Sequence, residues 1–361
     1  MKRLLFPLLA LTISCTAHVS KEEIEVESYP YPDKEWQSAK LDYAENSKRK
    51  IDSLRHVFEK KFSLLIIKNG KVIFESYQAP YLQDSLIHVN SCTKNVISML
   101  FGMVFKKDLR GKENESSLSY FPEYYITDTA IHKIKNKHFL SMSSGLDWKG
   151  GVDATDVIAM SQSEDWARYV FEREVIHEPG EHYNYNSGGS QVISHILHRQ
   201  TGYDLEKFAV DSLFSPLGIE SYFWDKTSMG VPKAGWGLHL KMADMAKLGY
   251  LMLREGIWEE RQLIPKYWVT QSTTSKIQIN DPWDYGYQFW IPRDANNQRY
   301  FFRGYYPPSH KIIEVIPELD IVAVYVGENS DFREVINTYI EILEEAYSKS
   351  DTVNAAQAGS K

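Results

Sequence analysis

The sequence predicts an α+β fold, with an antiparallel sheet built from both chain ends, flanking helices and a large helical insert. Two observations carry this. β-branched and aromatic runs occur near the N-terminus, at 63–67 and 72–74, and return over 287–326, whereas apolar residues from 91 to about 271 recur mostly at helical spacing. Lys68-Asn69-Gly70-Lys71 separates the first two runs and is a two-residue hairpin signal. A cleft is expected where insert and sheet meet.

The chain has 361 residues, 43% hydrophobic and 25% charged, which suits one large domain or two closely packed ones. Its net charge of −7, with no basic stripe, argues against a nucleic-acid partner. Lys2 and Arg3 precede a short apolar stretch, 4–13, and then Ser14-Cys15. Residues 1–18 therefore read as a signal peptide, too short to span a bilayer. A cysteine after a small residue resembles a bacterial lipoprotein processing site, although Thr12 stands where an aliphatic residue is usual. We expect lipid attachment at Cys15, membrane contact through that anchor only, and an extracytoplasmic address in the cell envelope, periplasm or outer membrane; plain secretion is the alternative.

Ser20-Lys21-Glu22-Glu23 reads as a solvated charge run, and 19–38, with Pro30 and Pro32, as a tether to a folded domain over 39–350. Leu41, Ala44, Ile51, Leu54 and Phe58 mark an amphipathic helix within 40–60. In the insert, Val96, Ile97, Leu100, Met103 and Val104 line one helix. Val192, Ile193, Ile196 and Leu197 line a second, which Gly202 can end, and Ala243, Met245, Ala246, Leu248, Leu251 and Met252 a third. Strands are predicted at 287–291, 300–302, 311–316 and 321–326, with Pro317-Glu318-Leu319-Asp320 as a connection. An amphipathic helix over 332–347 and a small, polar, disordered tail at 351–361 close the chain. Cys15 and Cys92 are the only cysteines, so lipidation of the first leaves no internal disulfide.

Ser91-Cys92-Thr93-Lys94 places a hydroxyl and an amine one turn apart at the start of an apolar helix. The free N–H groups of a helix N-terminus favour a developing anion there. A lysine acting as base must lose its proton. At its ordinary pKa it is neutral only about 0.04% of the time at pH 7, and burial can lower that pKa by roughly 3–5. Ser47-Lys48-Arg49-Lys50 has the same spacing but sits among charges that would keep its lysine solvated. In the loop before the Val192 helix, Tyr183, Tyr185 and Ser187 alternate; Tyr185 is the phenol expected to face Lys94 as a coupled partner. The plainer alternatives are a helix-capping serine, a surface lysine and a tyrosine packed on the core.

Ser91-Cys92-Thr93-Lys94 and Tyr185-Asn186-Ser187 together resemble the serine β-lactamase-related family. That family includes class C β-lactamases, DD-peptidases, esterases and linear-amide hydrolases of the 6-aminohexanoate-dimer type. The similarity covers roughly 62–347 and includes Tyr120-Phe121-Pro122-Glu123-Tyr124, the stretch from Phe139 to Trp148, Pro179-Gly180-Glu181, Gly235-Trp236-Gly237-Leu238, Tyr285-Gly286-Tyr287-Gln288-Phe289-Trp290 and Val315-Ile316-Pro317-Glu318-Leu319-Asp320. The resemblance implies a β-lactamase/transpeptidase-like fold and no cofactor. It implies Ser91 as acylated nucleophile, Lys94 and Tyr185 as the proton-handling pair, and Ser187 as a polar site residue. Ser at this last position occurs in the ester- and amide-cleaving branches, where other members have Asn. The departure is the third motif. Phe302-Arg303-Gly304 stands where Lys-Thr-Gly or His-x-Gly is common, so Phe302 replaces the cation and Arg303 restores it only if the strand turns it inward. Gly304 keeps the close backbone approach, and the N–H groups of Ser91 and Tyr305 are the expected oxyanion donors.

His177-Glu178-Pro179-Gly180-Glu181-His182 has the wrong spacing for a zinc helix, so no metal is expected there. No Gly-x-Ser-x-Gly elbow occurs. Cys92 reads as a small buried apolar residue, and His310 as a loop histidine, exposed or serving the site. The expected function is a serine hydrolase acting on a small or peptide-like carboxylic ester or amide through an acyl-enzyme, more an esterase or amidase than a β-lactamase. The rival is a catalytically silent lipoprotein of the same fold that binds peptidoglycan or another envelope ligand.

Overall fold

The Asn-Gly hairpin sets the first sheet register. In the computed structural model, Asn69 (φ 49°) and Gly70 (φ 71°) both adopt the left-handed region that a tight two-residue turn requires. They join β1 (Phe62–Lys68) to β2 (Lys71–Ser76), with Lys68 opposite Lys71 and a register shift between Ile66 and Ile67. The structure describes residues 30–32, 35–39, 62–150, 154–293, 299–328 and 331–343. Cys15, the signal segment 1–18, the helix within 40–60, the end of the 332–347 helix and the tail 351–361 lie outside them, as does most of the tether. No helix among the described residues is long and apolar enough to cross a membrane.

The other strands of the main sheet come from the last third of the chain. These are β3 (Ile277–Asn280), β4 (Trp283–Tyr285), β5 (Trp290–Pro292), β6 (Tyr300–Tyr306), β7 (Ser309–Ile316) and β8 (Ile321–Gly327). Their order is β2-β1-β8-β7-β6-β5-β4-β3, with antiparallel neighbours. β1 and β8 pair from Phe62 opposite Gly327 to Lys68 opposite Ile321, so segments from both ends of the described chain meet inside the sheet, one strand in from the β2 edge, as expected. Every residue of these two strands is buried, because both sheet faces are covered. Period two sorts their side chains: Leu65, Ile67, Val322 and Val324 face the helical insert, while Leu64, Ile66, Ala323 and Tyr325 face the helix at 332–343. That helix applies Phe332, Val335, Ile336, Tyr339 and Leu343, a helical stripe, to the second face.

Three insert helices position the site: α1 (Thr93–Val104), α2 (Ser187–Gln200) and α3 (Met242–Leu253). α1 is buried from Thr93 to Met103 and is a central helix rather than an amphipathic one. Against it lies α2; α3 meets β7 and β8 closely because a Cβ on Gly249 would come 2.6 Å from Val322 and 2.7 Å from Ile313.

Two strand expectations are corrected. The predicted 287–291 strand is only β5, beginning at Trp290, preceded by the unpredicted β4. Gln288 leaves the ladder with φ 71°. Its backbone N–H donates to the Leu140 carbonyl at 2.9 Å, and its side-chain amide donates to the Phe139 and Leu140 carbonyls at 3.1 and 3.0 Å. Satisfying those buried carbonyls is worth more than extending the strand. The second correction is at 305–310: β6 continues through Tyr306 and β7 starts at Ser309, so His310 is a buried strand residue with its ring 4.5 Å from that of Tyr305.

Beneath the 332–343 helix, fully buried Glu314 accepts from Arg299 Nη1 at 3.1 Å, and the same nitrogen donates to Asn337 Oδ1 at 2.8 Å. Arg299→Leu removes this charge-assisted bond from a buried carboxylate. We expect a loss of about 1.5–3 kcal/mol of unfolding free energy in a denaturant titration; a loss below about 0.5 kcal/mol contradicts this account.

Candidate active site

A single 3₁₀ turn, Asn90–Cys92, feeds α1 and fixes Ser91. Asn90 is left-handed at φ 50°, and its carbonyl accepts from Thr93 Oγ1 at 2.7 Å. The same hydroxyl accepts from the Leu238 N–H at 3.3 Å, tying the turn to the segment 233–240. The helix cap is Cys92, with no side-chain bond, so the Ser91 hydroxyl is not used for capping. Nor is Lys94 at the surface. It is 1% exposed, and Nζ donates to Ser91 Oγ at 3.1 Å and to the Gly235 carbonyl at 2.7 Å. Both acceptors are uncharged.

Nζ also stands 4.8 Å from the centre of the Tyr185 ring. The loop before α2 alternates as expected: Tyr185 turns toward Lys94, while the Tyr183 ring lies 5.6 Å from that of Tyr285 and its hydroxyl is buried without a partner. Asn186 fixes the junction by accepting from Gly189 N–H at 2.9 Å as the N-cap of α2. Ser187, 7% exposed, is the first residue of that helix. A Cβ on Gly235 would lie 3.0 Å from Ser187 Cβ and 3.6 Å from Lys94 Nζ, so Gly235 marks where the two side chains converge.

β6 forms the opposite wall. A Cβ on Gly304 would sit 2.3 Å from the Val89 carbonyl oxygen and 3.1 Å from the Ser91 nitrogen, so only glycine lets this strand lie against the Ser91 turn. Tyr305 follows, 52% exposed. Phe302 is buried in the core, its ring 5.1 Å from that of Phe289. The β6–β7 register runs without a bulge through Arg303 opposite Ile312 and Gly304 opposite Lys311. Strand parity therefore leaves Arg303 on the face away from Gly304, where its guanidinium lies 4.9 Å from the Trp290 ring and 5.6 Å from that of Trp283. Burial holds its pKa below the usual arginine value, and the nearby Tyr185 and Tyr183 phenols oppose that shift.

Ser91, Lys94, Tyr185, Ser187 and Gly304 thus converge, Tyr305 borders them and Arg303 lies behind Trp290. Two contributors carried no chemical assignment from the sequence. One is Gly235, whose Gly-x-Gly setting was the available signal. The other is Gln288, which also accepts from Asn95 Nδ2 at 2.7 Å and from Ser190 at 2.9 Å, bracing α1 against α2. His177 and His182 are exposed with rings 4.2 Å apart, and no group of three or more His, Cys, Asp or Glu converges among the described residues.

A family model described as Beta-lactamase matches residues 60–342. A search of curated proteins finds no match. Solved structures do resemble the chain. A Bacillus anthracis protein assigned as a 6-aminohexanoate-dimer hydrolase aligns at TM-score 0.67 and 16% identity, over 89% of this chain and 92% of that one. A penicillin binding protein from Bacillus halodurans aligns at TM-score 0.63 and 15% identity, over 82% and 99%. EstCE1, a hydrolase with promiscuous acyltransferase activity, aligns at TM-score 0.64 and 15% identity, over 83% and 98%. At these identities the likeness is one of fold.

Cys92 is buried beside the site, and its thiol donates to the Lys311 carbonyl at 3.3 Å. Burial pushes its pKa up to about 12, leaving almost no thiolate at pH 8. Iodoacetamide at pH 8 should leave Cys92 unmodified in the folded protein and alkylate it fully in denaturant, read by peptide mass spectrometry. Ready alkylation of the native protein contradicts the assignment.

Proposed function

Because the chain belongs to the beta-lactamase family, we propose that it is a serine hydrolase cleaving a carboxylic ester or amide through an acyl-enzyme on Ser91. The observation that carries this reading is the 3.1 Å contact between the Ser91 hydroxyl and an amine that is 1% exposed. Ser91 Oγ attacks the carbonyl carbon while its proton passes to the Lys94–Tyr185 pair. The N–H groups of Ser91 and Tyr305 receive the oxyanion. The pair then returns the proton to the departing alcohol or amine as the C–O or C–N bond breaks. Water, deprotonated by the same pair, attacks the ester on Ser91; the acyl–Oγ bond breaks, the pair returns the proton to Ser91 Oγ, and the acid leaves. Ser187 contacts the substrate on the Lys94 side. None of these steps calls for a cofactor.

Phe302 favours an ester or linear amide over a β-lactam, because an apolar core residue stands where a cation would meet the lactam carboxylate. Arg303 is proposed to meet an anionic substituent of an extended substrate beyond Trp290. The same reading places the protein outside the cytoplasm, held to the cell envelope by lipid on Cys15; lipid incorporation abolished by Cys15→Ala is the matching test.

A fluorophosphonate probe and labelled penicillin test the chemistry. We expect covalent labelling that disappears in Ser91→Ala and slows by roughly 10²–10⁴-fold in Lys94→Met. In a panel of p-nitrophenyl esters, short linear amides, D-Ala-D-Ala peptides and nitrocefin, an ester or linear amide should turn over fastest. If the folded protein takes up no acylating probe, the chemical reading fails and a silent binder of an envelope ligand, the role the altered third motif would suit, replaces it. Gly304→Ala should slow labelling by about a hundredfold, through displacement of the Ser91 turn.

A further inference from the structure

Gly237 sits two residues beyond the carbonyl that receives Lys94, and two imidazoles hold it. His88 Nε2 accepts from the Gly237 N–H at 3.0 Å. His239 Nδ1 lies 3.2 Å from the Gly237 carbonyl, which also accepts from the Asp225 N–H at 3.0 Å. The rings stack, with centres 4.6 Å apart and planes 21° from parallel. Gly237 itself is at φ 105°, a conformation that side chains rarely adopt. At the other end of the segment, Gln191 Oε1 accepts from the Ala234 N–H at 2.9 Å. The Gly235 carbonyl is thus suspended between two side-chain clamps.

We propose that His88, as a neutral acceptor for the Gly237 N–H, is a positioning residue that holds the Gly235 carbonyl against Lys94. This rests on the reading of Lys94 as the proton-handling amine. An imidazole accepts at Nε2 only when its proton is on Nδ1. A second proton makes Nε2 a donor facing another donor, and the clamp opens. His239 is different, because it donates to a carbonyl and can do so charged or neutral. Burial, then the charges of His239, Lys311 and Lys233, hold the His88 pKa down at about 4, with Asp225 opposing them. His88 is therefore neutral, and the clamp closed, at every pH well above 4.

The test compares wild type, His88→Gln, His88→Phe and Lys94→Met, using ester turnover between pH 3.5 and 8. Wild type should show an acid limb near pH 4 that His88→Gln lacks. That variant should keep roughly a third or more of kcat at pH 7, because an amide carbonyl replaces the ring acceptor. His88→Phe should lose about tenfold to a hundredfold in kcat with little change in KM. Nitrogen-15 NMR of the wild-type histidines at pH 7 should find His88 protonated on Nδ1 alone. A proton on Nε2, or full kcat in His88→Phe, overturns the proposal. If Lys94→Met is inactive and the His88 variants match wild type, only the clamp fails; if Lys94→Met is active, the underlying chemistry fails.

Discussion

The Lys94 amine, sealed between the Ser91 hydroxyl and the Gly235 carbonyl, is the contact on which the surrounding elements depend. Excluding an ionisable group from water costs several kcal/mol unless the fold supplies oriented partners. Here each partner comes from a different part of the chain. The hydroxyl lies three residues earlier, in the 3₁₀ turn that feeds α1, and the carbonyl 141 residues later. The Tyr185 ring covers one side from the loop before α2. Burial of α1 from Thr93 to Met103 keeps these partners from drifting, since no face of that stretch is free to move toward solvent.

Backbone proximity accounts for the remaining walls. Gly304 lets β6 touch the Ser91 turn, and Gly235 leaves the gap into which Ser187 and Lys94 project. In both places the obstacle to a side chain includes backbone or the site's own functional groups, which cannot step aside as a flexible surface chain could. The candidate site is therefore shaped as much by omitted methyl groups as by the polar side chains that meet there. Phe302 takes the opposite course and fills its position with core.

The features legible in the sequence were the local ones. Ser91 and Lys94 share a helix face because residues three apart must, and the alternation of Tyr183 and Tyr185 separates their directions in any extended loop. The 69–70 turn and both faces of β1 and β8 follow from turn chemistry and period two. What stayed hidden depends on distant partners. Gln288 breaks a strand-like run to serve residues 95, 139, 140 and 190. Arg303 faces away from Gly304 because of a ladder parity that cannot be known before the register of β6 and β7 is fixed. His310 read as a loop residue until the pairing of Tyr306 with Ser309 carried the ladder around the prolines.

The junction of β1 with β8 has a consequence for how the chain reaches this state. Partners such as Leu64 and Tyr325 are separated by most of the polypeptide, so this pairing has very high contact order and pays loop-closure entropy before it forms. The helices between them can form from nearby residues. During synthesis β1 must therefore wait, an unpaired apolar edge, until the final third has emerged, and this interval is when the protein is most open to aggregation and most in need of a chaperone.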